Sequence, residues 1–187
     1  MSATLPLDFT LTGIRPASEA DMTAITAIYA HHVRQGSASF ETKVPDVVEM
    51  ARRRATLREG GFPYVVAEDN SEVLGYAYAG AYRPRAAYCN TVEDSIYLRP
   101  DATGRGLGSH LLTALIEACE AQGFRQMIAV VGDRANTPSI RLHERQGFRR
   151  IGTLEAVGCK HGRWLDVVLL QRRLGEGASS APQVRNA

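Results

Sequence analysis

The chain has few of the residues that build disulfide frameworks, metal sites or membrane spans. Its 187 residues include three cysteines, Cys89, Cys119 and Cys159, which lie far apart and form no CxxC pair. The five histidines show no HExxH or comparable ligand spacing. The sequence therefore predicts no structural disulfide, a metal-free site and a reducing compartment such as the cytoplasm.

Long apolar runs and an excess of one charge are also missing. No stretch approaches the roughly 18 apolar residues that a membrane span requires, and the N-terminus lacks a basic segment followed by an apolar run. The 22 basic and 20 acidic residues leave a net charge of +2, which predicts no broad attraction to nucleic acid or anionic lipid. We expect a protein that is not exported and does not bind membranes.

What is present is enough apolar material, 44% of the residues, for one hydrophobic core. We predict a single domain over residues 1–174. The small, polar segment 175–187 lacks a hydrophobic face and predicts a flexible C-terminal tail.

The apolar patterning predicts an α/β (α+β) fold. A strand near 11–15 and two helices, one capped by Ser18 and one running from 45 to 61, precede strand-like runs that begin at Tyr64 and predict an antiparallel meander. A helix at 107–122 and an apolar strand at 127–131 predict a parallel crossover. After a short helix from Thr137, strands at 148–156 and 164–172 complete a mixed, mostly antiparallel central sheet flanked by helices.

The segment from Ser95 to Gly108, SIYLRPDATGRGLG, runs from a strand through a glycine-rich turn into a helix. Glycines allow the backbone to approach a bulky anion closely, and a helix N-terminus offers unpaired N–H groups with partial positive charge. No GK[ST] follows, the GxGxxG spacing fails, and the antiparallel strands before it argue against a Rossmann unit. Among carriers of a pyrophosphate, coenzyme A remains the natural candidate.

Several segments in a fixed order resemble the GCN5-related N-acetyltransferase (GNAT) superfamily and, within it, the phosphinothricin N-acetyltransferase (L-amino acid N-acetyltransferase) family. They are VEDSIYL, GRGLG, AQGF, NTPSIRLHERQGF and GCKHGRWLDV, and the resemblance covers residues 14–174. It implies the acetyltransferase fold, acetyl-coenzyme A as the acetyl donor and direct attack by the acceptor amine through a tetrahedral intermediate.

The resemblance also implies which residues line the coenzyme A site. They are Tyr97, Leu98, Thr103, Gly104, Arg105, Gly106, Leu107, Gly108 and Ser109, with Asn136 and Ser139 at the pantetheine end. The chain departs from the superfamily pattern at Thr103, where arginine or glutamine is usual.

Two residues are implied as catalytic. Glu93 occupies the position of a carboxylate that takes a proton, directly or through water, from the acceptor ammonium, since only the free amine attacks a thioester. His143 stands where many relatives in the superfamily carry a tyrosine. It can protonate the departing thiolate, assist the base or only pack, because imidazole titrates near neutral pH.

The acceptor site is implied at Phe40, an aromatic wall, and at Arg83 and Arg85. Two guanidinium groups two residues apart on an extended backbone lie on one side of it and suit a carboxylate or phosphinate. Trp164 can anchor a subunit interface or close the acceptor site. The resemblance suggests a homodimer.

The resulting hypothesis is an enzyme that acetylates the amine of phosphinothricin, methionine sulfoximine or an L-amino acid. A second hypothesis keeps the donor but takes a protein or polyamine amine, and Arg83 with Arg85 argues against polycations because like charges repel. A third is a non-catalytic acyl-coenzyme A-binding module, which the Thr103 departure leaves open.

Overall fold

The structure, a computed structural model, describes residues 13–182 and within them builds one seven-stranded sheet with helices on its two faces. The strands are β1 Gly13–Pro16, β2 Tyr64–Asp69, β3 Glu72–Ala81, β4 Thr91–Leu98, β5 Gln126–Gly132, β6 Arg149–Lys160 and β7 Arg163–Arg173. The helices are α1 Met22–Gln35, α2 Val47–Glu59, α3 Leu107–Ala121 and α4 Thr137–Arg145. Short 3-10 turns occupy Glu19–Asp21, Ala86–Tyr88 and Pro100–Ala102.

The strand order is β1-β2-β3-β4-β5-β7-β6, and β4 with β5 is the parallel pair in this described sheet. The other neighbours are antiparallel. The predicted mixed, mostly antiparallel sheet is therefore confirmed, and so is the parallel crossover through α3. The predicted first strand falls partly on residues 11 and 12, which lie outside the described residues.

The sheet separates two cores. On one face, α3 buries apolar side chains at helical spacing against the sheet: Leu111, Leu112, Leu115, Ile116 and Cys119. Each leucine buried in this way stabilises the fold by about 2 kcal/mol. On the other face α1 and α2 pack on aromatic residues of β2, β3 and β4, among them Tyr64, Tyr76 and Tyr97.

An ion pair fixes the start of α1. Arg15 on β1 donates to both carboxylate oxygens of Asp21 at 2.8 Å, and Ser18 donates to the same carboxylate through its backbone N–H and its hydroxyl. Asp21 is buried, and the hydrogen bonds from Arg15 lower its pKa well below the usual value. Ser18 therefore caps the 3-10 turn that leads into α1.

The segment that follows β7 contacts the connection between α3 and β5. Arg125 donates to the Glu176 carboxylate at 3.3 Å and to the Ser180 hydroxyl at 2.9 Å. The division at residue 174 and the flexibility of the segment beyond it stay predictions. Among residues 13–182, no helix has the length and apolarity to cross a bilayer.

Candidate active site

The site begins where two neighbouring strands part. β4 and β5 pair through four residues only, from Thr91 opposite Gln126 to Asp94 opposite Ala129. Beyond that point β5 continues to Gly132 in partnership with β7, while β4 continues to Leu98 in partnership with β3. A wedge-shaped opening therefore lies between the two strands at the centre of the sheet.

Backbone polar groups of β4 line this opening. Tyr82 N–H donates to the Thr91 carbonyl, and Arg99 N–H donates to the Leu74 carbonyl at 2.8 Å. Because backbone hydrogen bonds alternate along a strand, the even-numbered residues between them, including Ile96 and Leu98, direct their N–H and C=O groups away from β3. Their N–H groups face the edge from which β5 has diverged.

A cavity of about 510 Å³ fills the opening. Its walls include six residues that the sequence predicts for the site, namely Phe40, Glu93, Tyr97, Asn136, Ser139 and His143. Its other lining residues are Tyr29, Ala38, Ser39, Glu41, Asp94, Ser95, Ile96, Ala129, Val130, Val131, Gly132 and Val167. Residues as far apart in sequence as Tyr29 and Val167 thus meet at one place.

Glu93 lies at the point where the strands part, on the sheet face covered by α1 and α2. It is half-buried, and burial raises the pKa of its carboxyl above 4.5, with a further contribution from the Asp94 charge. Arg83 acts in the opposite direction. A carboxylate with a raised pKa is a better base than an exposed one, which suits removal of a proton from an ammonium group.

His143 is held on the opposite face by a partner that the sequence reasoning missed. Its Nε2 lies 2.9 Å from Asp94 Oδ2 and its Nδ1 lies 2.7 Å from the Ser139 carbonyl oxygen. His143 is 2% and Asp94 6% exposed. Burial by itself lowers the pKa of His143, but the charge and hydrogen bond of Asp94 and the Ser139 carbonyl outweigh it and raise the pKa above 6.5.

The glycine-rich turn lies at the end of β4 and before α3. Gly104 and Gly106 have φ values of 75° and 80°, a region that favours glycine, and a Cβ at either position would meet no atom within 4 Å. Gly106 is the N-cap of α3, and no side chain caps that helix end. The first N–H groups of a 15-residue helix are therefore available to an anion.

The remaining cofactor candidates fix the geometry around this turn. The Thr103 hydroxyl donates to the Pro100 carbonyl at 3.0 Å, and the Ser109 hydroxyl accepts from Gln146 Nε2 at 2.6 Å, tying α3 to α4. Asn136 Oδ1 accepts from the Ser139 N–H as the N-cap of α4. Leu107 and Gly108 are buried, and the turn from Thr103 to Gly106 is exposed.

The wall of the cavity formed by α1 and the segment after it is aromatic and acidic. Tyr29 meets Tyr97 edge to face at 5.1 Å, and its hydroxyl lies 2.9 Å from Ser39 Oγ and 3.0 Å from Glu41 Oε1. The Phe40 ring lies against the backbone of β5 and β6, where two glycines leave room for it. Phe40 therefore forms part of the cavity wall, next to Glu41.

A buried lysine fixes this wall. Lys160, at the end of β6, donates through Nζ to the Gly36 carbonyl at 2.8 Å and to the carbonyls of His32 and Ser39. Burial lowers the pKa of Lys160. No sequence pattern predicts this contact, because the partners are backbone oxygens more than 120 positions away.

Arg83 and Arg85 lie outside the 510 Å³ cavity, in an exposed loop that bends instead of continuing β3. They line a neighbouring cleft of about 450 Å³ together with Phe62 and Tyr88. The Arg83 guanidinium carbon lies 5.1 Å from the centre of the Tyr82 ring. Among the residues described, no group of three His, Cys, Asp or Glu side chains forms a possible metal site.

Comparison with known proteins agrees with this geometry. The model of the Acetyltransferase (GNAT) family matches residues 25–148, and the chain belongs to that family. It is 52% identical over 170 residues to the phosphinothricin N-acetyltransferase of Alcaligenes faecalis, covering 91% of this chain and 86% of that protein.

A second relative and a solved structure are also similar to this chain. The L-methionine sulfoximine/L-methionine sulfone acetyltransferase of Pseudomonas aeruginosa is 43% identical over 90% of this chain and 98% of its own length. The crystal structure of a GNAT phosphinothricin acetyltransferase from Sinorhizobium meliloti in complex with AcCoA has a TM-score of 0.90 and 48% identity, covering 93% of this chain and 94% of that one. The predicted family and fold are confirmed.

Proposed function

We propose that this chain transfers an acetyl group from acetyl-coenzyme A to the primary amine of a small, amino acid-like acceptor such as phosphinothricin, methionine sulfoximine or an L-amino acid. The observation that carries the proposal is the meeting of Glu93 and the Asp94–His143 pair with the open edge of β4 in one cavity. The names of the relatives, phosphinothricin and methionine sulfoximine acetyltransferases, support the class of acceptor.

The residues present fit acetyl-coenzyme A. The N–H groups of Ile96 and Leu98 on the open edge would bind its polar arm, and the uncapped start of α3 with the Thr103–Gly106 turn would hold its pyrophosphate. When bound, acetyl-coenzyme A supplies an acetyl group activated as a thioester. Arg105, Leu107, Gly108 and Ser109 complete the proposed binding segment.

Glu93 is the proposed base. Its carboxyl takes a proton from the acceptor ammonium and so produces the free amine, which is the nucleophile. A pKa above 4.5 brings the carboxyl closer to the ammonium in proton affinity. His143, on the α4 side of the sheet, is the proposed source of the proton that the departing sulfur gains.

Acceptor specificity is proposed to come from Phe40 and the two loop arginines. Phe40 offers an apolar surface for the acceptor side chain. Arg83 lies near enough to Glu93 to act on its pKa, so an acceptor amine at Glu93 would have its acidic group directed towards Arg83 and Arg85.

The decisive experiment compares the wild-type protein with Glu93→Gln in a thiol-release assay. Phosphinothricin, methionine sulfoximine and the common amino acids serve as acceptors, and calorimetry measures acetyl-coenzyme A affinity. We expect kcat to fall by about a hundredfold or more with Kd for the donor nearly unchanged. Absence of turnover by the wild-type protein with every acceptor would refute the proposal and favour a binding module.

A homodimer is our proposal for the quaternary state. β6 is an edge strand, and large apolar side chains lie exposed on β5, β6 and β7: Val130, Ile151, Leu154, Val157 and Trp164. Trp164 is 71% exposed, which is costly for a tryptophan and typical of an interface. Trp164→Asp should convert the dimer to a monomer in analytical ultracentrifugation, whereas a wild-type monomer at micromolar concentration would contradict this.

We also propose a cytoplasmic location. Cys159 is an exposed thiol outside any disulfide, and exposed thiols persist in a reducing compartment. Fractionation of cells that produce the protein tests this, since recovery from an oxidising compartment would contradict it.

A further inference from the structure

The hydrogen bonds of His143 determine where its protons are. Nδ1 lies 2.7 Å from the Ser139 carbonyl oxygen, and a carbonyl only accepts, so Nδ1 carries a hydrogen. Nε2 lies 2.9 Å from Asp94 Oδ2, and this contact also needs one hydrogen between the two atoms. That second hydrogen belongs either to an imidazolium facing a carboxylate or to a carboxylic acid facing a neutral imidazole.

The pair therefore holds one proton more than a neutral histidine beside an ionised aspartate. Asp94 Oδ1 is buried and has no hydrogen-bond partner among residues 13–182, so the contact with His143 is the hydrogen bond that this carboxyl group makes there. A buried carboxylate with an unsatisfied oxygen is costly. The shared proton offsets this cost, which ties the charge of Asp94 to that of His143.

We propose that Asp94 is a positioning residue that makes His143 the proton donor on the coenzyme A side of the site. This rests on the proposed acetyl transfer. The shared proton lies between His143 Nε2 and Asp94 Oδ2, and both side chains line the cavity that the proton must enter. The imidazole stays oriented by its Nδ1–H bond to Ser139 as this proton leaves. The sulfur that leaves gains this proton when its bond to the acetyl carbon breaks and the amide bond forms.

In this arrangement, proton removal and proton donation take place on opposite faces of the sheet. Glu93 and Asp94 are consecutive on β4, so their side chains point to opposite faces. In each turnover the acceptor nitrogen loses two protons, one to Glu93 before it attacks and one to water when the amide forms. The pair gives one proton to the sulfur. Exchange with water then returns Glu93 and the pair to their starting states, and one proton is released overall. The titratable group next to the pair on β4 is Glu93, which interacts with Arg83 and Tyr78. The His143 imidazole also contacts the Phe148 ring, which meets it edge to face at 5.0 Å.

The direct test is an NMR titration of the His143 ring nitrogens in the protein without ligands. The variant is Asp94→Asn, which keeps the shape but can donate to Nε2 and so favours the neutral imidazole with hydrogen on Nδ1. Asp69→Asn, an exposed site in the β2–β3 turn, is the matched control. We expect both nitrogens to be protonated at neutral pH in the wild-type protein, and a midpoint lower by at least one pH unit in Asp94→Asn.

Kinetics provide the second readout. In Asp94→Asn we expect kcat to fall about tenfold or more near pH 8 and its alkaline limb to move to lower pH, with donor Kd unchanged. Wild-type His143 that titrates at or below 6.5, or equal His143 titrations in wild type and variant, would overturn the inference. A wild-type protein inactive with every acceptor but with the expected titration would refute the proposed function and the donor role, and would leave the shared proton as a structural property.

Discussion

Replacing Gly158 with alanine tests whether the Phe40 ring determines acceptor binding. A Cβ at Gly158 would lie 2.2 Å from Phe40 Cε2 and 2.6 Å from Cδ2. The ring must therefore shift by about 1.3 Å to restore an ordinary contact of about 3.5 Å. Gly158 does not have a positive φ, so alanine adds no backbone strain there.

We expect the acceptor KM to rise about tenfold, equivalent to about 1.4 kcal/mol, because displacement of a positioning group by an ångström weakens productive binding. Phe40 is 40% exposed, so the displaced ring has space and the free energy of unfolding should change by less than about 1 kcal/mol. Steady-state kinetics with varied acceptor at saturating donor measures the first effect, and urea denaturation measures the second.

Two further variants isolate the cause. Gly152→Ala lies on the same strand, and its Cβ would meet no atom within 4 Å, so it should behave like the wild-type protein. In a double-mutant cycle, Gly158→Ala should add nothing to Phe40→Ala, because the clashing ring is gone. An unchanged KM in Gly158→Ala, or an equal rise in Gly152→Ala, would refute this reasoning.

Three further predictions follow from buried charges. Lys160→Met leaves three carbonyl oxygens without their donor, so it should lower the free energy of unfolding by about 2 kcal/mol and raise the acceptor KM, with donor Kd unchanged in calorimetry. The pH profile of kcat should fall on the acid side through the raised pKa of Glu93, above 4.5, and on the alkaline side through the raised pKa of His143, above 6.5; a profile flat on both sides would contradict it. Asp21→Asn should cost about 2 kcal/mol at neutral pH, allowing for the partial exposure of Arg15. Because the folded pKa of Asp21 is lowered, this stabilisation is complete above 3.8 and is lost as pH falls through the lowered value, so urea midpoints of variant and wild type should converge in acid.

Regular elements were predictable because their signals are local. α2 begins after Asp46, whose side chain accepts from the Glu49 N–H as an N-cap, and α3 shows the predicted helical spacing. β6 is longer than predicted, running to Lys160, because a register irregularity between Leu154 and Gly158 accommodates extra residues. That irregularity depends on the Asp166 carboxylate, which accepts from the Ala156 N–H at 2.9 Å, a contact made only after folding.

Site residues could be predicted from the sequence where they belong to motifs that occur in a fixed order. Glu93 and His143 follow from the resemblance, and both line the cavity. Asp94 has no sequence signal of its own, since an acidic residue beside Glu93 on a strand points to the other face, and its partner lies 49 positions away. No sequence pattern identifies Lys160 either, because its partners are also distant in the sequence. Arg83 belongs to a bent loop, so the expected extended backbone around it does not form.

The short parallel ladder between β4 and β5 makes the chemistry sensitive to alignment. Only four residue pairs hold the strands together, and they include both consecutive carboxylates. A slip of one residue along β4 would move Glu93 and Asp94 to the opposite faces, so that neither acid would keep its position in the site. The pairing of these few residues thus decides which acid serves which reactant, and errors in strand alignment during folding would yield compact but inactive molecules.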